Sequence, residues 1–156
     1  MNKHFLLPSC LFVTNNQYEI TTILGSCVSV CLYDSENKIA GINHYLLPVW
    51  DGNGLATLKF GNISTKKLVF EMEKKGALRK NLVAKVFGGM TRKNCVFNIG
   101  DKNAEIAIRT LKELNIKIEV IQVGGTLGRR ILFNTNTGKV HMKMISQEEN
   151  NTVCHV

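Results

Sequence analysis

At 156 residues the chain has the size of one domain, long enough to bury a core without disulfide or metal staples. Its 44% apolar and 21% charged content is ordinary globular usage, and no run approaches the roughly 18 apolar residues of a membrane span. The formal charge of +8 favours encounters with an acidic partner. The basic residues are scattered, however, and the one dense patch (Lys74, Lys75, Arg79, Lys80) lacks the interleaved aromatics of a nucleic-acid stacking platform, so it reads as a solvated helix end.

The opening stretch Met1 to Cys10 loses its apolar run at Pro8, too early for a signal peptide, and no export signal is read. Five cysteines (Cys10, Cys27, Cys31, Cys95, Cys154) form an odd set at irregular spacing, which fits reduced thiols in a cytoplasm. Leu11 to Thr14 and Tyr18 to Leu24 are β-prone runs separated by Asn15-Asn16, so a hairpin is expected at the start. After Gly25-Ser26, residues Val28, Val30 and Leu32 alternate with Cys27, Ser29 and Cys31, the pattern of a strand with two unlike faces. Asp34-Ser35-Glu36-Asn37 is turn chemistry, and Lys38 to His44 returns as a strand ending near Pro48.

Asp51-Gly52-Asn53-Gly54 marks a loop, after which Ser64 is expected to cap a helix over residues 65–75 stopped by Gly76, with Leu68, Val69 and Met72 facing the core. A second helix is expected from an Asp101 cap, burying Ala104, Ala107, Ile108 and Leu111 and exposing Lys102, Glu105, Arg109 and Lys112. Residues 82–87, 116–123, 130–133 and 140–145 read as strands, with Asn136-Thr137-Gly138 a hairpin turn and a frayed tail from Gln147. The expected fold is a single α+β domain over residues 1–156, its helices covering mainly antiparallel sheet.

Chemistry concentrates between residues 27 and 44. If Asp34 to Asn37 form the loop, Tyr33 pairs with Lys38 and, six residues further on each strand, Cys27 faces His44 with Cβ atoms about 5 Å apart. An imidazole there would favour the thiolate, the reactive form of a thiol that ordinarily titrates near pH 8.5. The Gly25-Ser26 bend is expected to expose Cys27 and to aim backbone N–H groups at an oxyanion. Cys31 shares the face of Cys27 but lies four strand residues away, about 13 Å, too far to share a metal ion, and is assigned to the core. No metal or other cofactor is expected.

Leu24-Gly25-Ser26-Cys27-Val28 followed by Gly41-Ile42-Asn43-His44-Tyr45-Leu46-Leu47-Pro48 resembles the signature of CheD chemoreceptor glutamine deamidases. Val86-Phe87-Gly88-Gly89 with Asn98-Ile99-Gly100 and Asn103, then Gly124-Gly125, Gly128-Arg129 and Gly138-Lys139-Val140, resemble the later motifs in order and spacing, over residues 10–145 in all. The resemblance implies Cys27 as nucleophile, His44 as base and Thr21 as the residue that orients the histidine, with Thr22 the adjacent alternative. It also implies a layered α/β/β domain distantly similar to toxin deamidases such as cytotoxic necrotizing factor. The expected partners are chemoreceptor cytoplasmic helices as substrate and a CheC-type phosphatase; a docking module with an idle cysteine is the rival. Met90, Lys102 and Gln122 depart from the residues usual in the family.

Overall fold

The alternating run after Cys27 forms a strand, β4 (Val28–Asp34), buried on both faces because it is the middle strand of the middle layer. The computed structural model describes residues 1–92 and 96–145. Its other strands are β1 (Asn2–Phe5), β2 (Cys10–Thr14), β3 (Tyr18–Leu24), β5 (Ile39–His44), β6 (Leu82–Gly88), β7 (Lys117–Val123), β8 (Arg129–Asn134) and β9 (Val140–Met144). The helices are α1 (Gly61–Lys74) and α2 (Ile99–Glu113).

One sheet has the order β2-β5-β4-β6-β7 and the other β1-β3-β8-β9; pairing is antiparallel except for β1 with β3 and β6 with β7. Both helices pack on the five-stranded sheet, whose other face meets the four-stranded one. The result is the α/β/β layering that the sequence led us to expect. Among the described residues no helix is long and apolar enough to cross a membrane.

The period-two alternation of β4 divides the core. Val28, Val30 and Leu32 pack with Leu68, Val69 and Met72 of α1 and with Ala104, Ala107 and Leu111 of α2. Cys27, Cys31, Ala40, Ile42 and Phe87 pack between the sheets with Ile20, Leu24, Ile131 and Phe133. Each fully buried aliphatic side chain contributes roughly 1.5–3 kcal/mol, against about 1 kcal/mol net for a hydrogen bond. Apolar packing therefore fixes how the two sheets lie together, and the polar groups between them are placed by it.

Several local expectations are corrected. β2 and β3 do not form a hairpin: β2 pairs with β5 in one sheet and β3 with β1 and β8 in the other, the short link through Asn15 and Asn16 crossing between layers. Thr135 holds that crossing, donating from Oγ1 to the Asn16 carbonyl and accepting from the Tyr18 N–H, both at 2.8 Å. The loop between β4 and β5 is Ser35 to Lys38, one residue later than expected. Asp34 stays in the strand because its carboxylate accepts the N–H groups of Glu36 and Asn37, and Lys38 closes the turn at φ 54°.

α1 begins at Gly61, a turn before the expected Ser64 cap, and Ser64 is buried inside it. Loop carbonyls do the capping: Gly61 and Asn62 donate their N–H groups to Leu47 and Pro48. Likewise α2 starts at Ile99 after Asn98 at φ 45°, leaving Asp101 in the first turn, and buries Ile106 more fully than Ile108. β1 was not foreseen. The expected frayed tail from Gln147, Cys154 within it, and Cys95 lie outside the described residues.

Candidate active site

Gly25, Ser26 and Cys27 form an elbow between β3 and β4 whose carbonyls are all held. Met90 N–H donates to Gly25 (3.0 Å), Asn103 Nδ2 to Ser26 (2.9 Å) and Gly89 N–H to Cys27 (2.9 Å). Asn103 projects from α2, its side-chain amide donates also to the Leu46 carbonyl at 2.9 Å, and its main-chain carbonyl accepts the Tyr45 hydroxyl. One buried amide thus ties the helix layer to both strands that carry Cys27 and His44. Gly88 admits no side chain here: at φ +113°, a Cβ would lie 2.2 Å from the Cys27 carbonyl oxygen.

The register differs from the expected one by two residues. Cys31 pairs with Ile42 and Val28 bridges Tyr45, which puts Ser29, not Cys27, directly across from His44. A two-residue shift keeps every side chain on its face, so Cys27 and His44 become diagonal neighbours on the inter-sheet side, a separation of about 7–8 Å. The later loop explains the shift. The structure corrects the exposure of Cys27 as well: it is 0% accessible, shut in beneath the four-stranded sheet, whereas Cys10 is exposed. Over the neighbouring Ser26 lies a depression of about 50 Å³, lined by Met90, Thr91, Asn98, Ile99 and Gly100.

His44 is 1% exposed, and burial pushes its imidazole down to about 4, so it is neutral at neutral pH. Thr22, not Thr21, meets it: Thr22 Oγ1 lies 2.7 Å from His44 Nδ1 and 2.8 Å from the Leu6 carbonyl oxygen. These two contacts decide the tautomer. The carbonyl can only accept, so the single hydroxyl proton goes to Leu6, and Oγ1 must accept from Nδ1–H. Nε2 is left with its lone pair, buried and without a hydrogen-bond partner among the described residues. Such a nitrogen is a base. Leu6, following β1, is itself fixed by its N–H bond to the Thr21 carbonyl at 2.9 Å.

Thr22 was legible in β3, where Ile20, Thr22 and Leu24 alternate on the inward face and Thr21 shares the other with Glu19. The Leu6 carbonyl had no sequence signal, because any residue supplies one. Asn103 was visible only as a motif position. Of the departures, Gln122 uses its backbone carbonyl to receive the buried Arg129 guanidinium, which also binds the Gly124 carbonyl. Met90 contributes the N–H that closes the elbow, so neither contact depends on the side chain present.

Comparison with known proteins decides the family. A family profile described as CheD chemotactic sensory transduction matches residues 46–144, well over half of the chain. The chain belongs to the CheD family. The profile match begins two residues beyond His44, but full-length relatives span the elbow as well. A probable chemoreceptor glutamine deamidase CheD of Sulfurimonas denitrificans is 46% identical, over 94% of this chain and 97% of that one. Proteins of the same description from Trichlorobacter lovleyi and Hahella chejuensis are 43% and 36% identical, over 90% and 95% of this chain and 89% and 72% of theirs. The Gly88-Gly89, Asn98-Ile99-Gly100 and Asn103 blocks converge on the Gly25-Ser26-Cys27 elbow, although they are distant from it in sequence.

Proposed function

We propose that this CheD protein hydrolyses glutamine side chains of bacterial chemoreceptors to glutamates, with Cys27 as nucleophile and His44 as base. The observation that carries the reading is the Leu6–Thr22–His44 relay, which directs a basic Nε2 to the inter-sheet face that Cys27 shares. Nε2 takes the Cys27 proton as sulfur attacks the carboxamide carbon, then gives it to the departing nitrogen, releasing ammonia and leaving a γ-glutamyl thioester. Water, deprotonated by the same nitrogen, attacks the thioester carbon; the C–S bond breaks and the thiolate recovers the proton. Because burial disfavours imidazolium, proton transfer accompanies attack, and a standing thiolate–imidazolium pair is not required. The same acyl centre makes glutamyl methyl ester hydrolysis an accessible side reaction.

The test is incubation with a chemoreceptor cytoplasmic fragment, reading ammonia and the +1 Da mass change from glutamine to glutamate. Conversion of particular glutamines by the wild type, and none by Cys27→Ala or His44→Ala that remain folded, is the expected result. Receptor binding without any conversion would favour the docking module instead. Cys31→Ala should keep most activity, since Cys31 lies in the core, where burial raises its thiol and holds it protonated.

A further inference from the structure

Ser29 has no role in the mechanism just described, yet it occupies the position directly across from His44. It is fully buried, and neither its Oγ nor His44 Nε2 has a hydrogen-bond partner among the described residues. The two lie where the β4–β5 ladder is interrupted: on one side Val28 and Tyr45 exchange both backbone bonds, at 3.2 and 3.0 Å, and on the other the Val30 N–H turns to the Asn43 side-chain oxygen at 2.7 Å. Counting from the pairs on either side, both side chains point to the inter-sheet face across this interruption. Other buried polar atoms without partners, such as Ser64 Oγ in α1, do not face a second one across a strand pair.

Stability does not account for this serine. A buried hydroxyl without a partner costs as much as a lost hydrogen bond, and alanine at this buried position would carry no such cost. We infer that the Ser29 hydroxyl, with His44 Nε2, holds the water that hydrolyses the thioester. A water between them would accept from the serine hydroxyl and donate to Nε2, leaving its second lone pair for the acyl carbon on Cys27, one pleat away on the same face. As Nε2 removes the proton, the oxygen bonds to the carbon and the sulfur departs. Ser29 is thereby assigned to the second half of the reaction, and this rests on the deamidase reading.

The experiment compares wild type with Ser29→Ala on the receptor fragment, by rapid quench for ammonia and by intact mass for covalent protein–receptor adducts. Ser29→Ala should unfold in urea no earlier than wild type. It should release its first equivalent of ammonia at the wild-type rate, then turn over at least about 10-fold more slowly, with the adduct at Cys27 accumulating. Hydroxylamine, a nucleophile that needs no activation, should restore turnover and yield the hydroxamate. Unchanged steady-state turnover, or a first turnover slowed equally with no adduct, would overturn the assignment of Ser29 while leaving the deamidase reading intact. Absence of ammonia from the wild type, or its release by Cys27→Ala, would overturn both.

Discussion

Replacing Thr22 by valine removes one hydroxyl while keeping the branched shape, and both partners of that hydroxyl are buried. The Leu6 carbonyl loses its donor at 2.8 Å and His44 Nδ1–H its acceptor at 2.7 Å. Leaving two such groups unsatisfied costs roughly 1–3 kcal/mol each, so the domain should lose about 2–6 kcal/mol, and any stability toward the upper part of the usual 5–15 kcal/mol keeps it folded. The catalytic effect is separate: without its acceptor the imidazole is free to carry its proton on Nε2, where it cannot act as a base. Turnover should fall about 10- to 100-fold with KM little changed, the range typical of a group that orients another. Thr21→Val, on the opposite face of β3, should be nearly silent, and Thr22→Ser should retain most activity. Ammonia release at saturating receptor fragment, read beside the nitrogen chemical shifts of His44, checks both parts. Equal losses in Thr21→Val and Thr22→Val, or an Nδ1-protonated His44 persisting in Thr22→Val, would refute the relay.

The buried His44 also predicts an acid sensitivity. Its folded value of about 4 lies below the ordinary 6.5, so the unfolded chain takes up the proton first; stability is intact above pH 6.5 and declines as pH falls toward 4, by about 3 kcal/mol in full. Urea unfolding at pH 7 and 4.5 should show this loss in wild type and much less of it in His44→Gln; identical acid losses would assign it elsewhere. Gly88→Ala should lower the melting midpoint by about 10 °C, since it adds a side chain at φ +113° against the Cys27 carbonyl; a shift under a few degrees would mean the elbow adapts. In the free protein iodoacetamide should label exposed Cys10 before buried Cys27, as read by peptide mapping, and Cys27 labelling first would show that the sheets open readily.

What the sequence disclosed follows the physics of each signal. The strand of Val28, Val30 and Leu32 and the core faces of both helices were legible because alternation and helical spacing report burial directly. Pairing partners were less so. Asn15-Asn16 looks the same whether it closes a hairpin or steps from one sheet to another, and only long-range packing tells them apart. The expected direct pairing of Cys27 with His44 came from a turn misplaced by one residue; the resulting shift of two made the pair diagonal but kept both side chains on one face. Helix starts were missed where main-chain carbonyls of Leu47 and Pro48, invisible in composition, replaced a capping side chain. The choice between Thr21 and Thr22 lay within reach of strand periodicity, with Glu19 marking the outer face.

The hydrogen bond from His44 to Thr22 joins two different sheets, and this sets an order in time. Synthesis delivers Cys27 and His44 early, within the first third of the chain, and β4 and β5 pair locally. The sheet that presents Thr22 needs β8 and β9, the last strands described, beside β3. Until residues 129–144 have emerged and docked, the histidine has a thiol beside it but nothing to fix its proton. On the proposed mechanism, a nascent or truncated chain would carry the nucleophile without its tuned base, and reactivity would be conferred only on the completed domain.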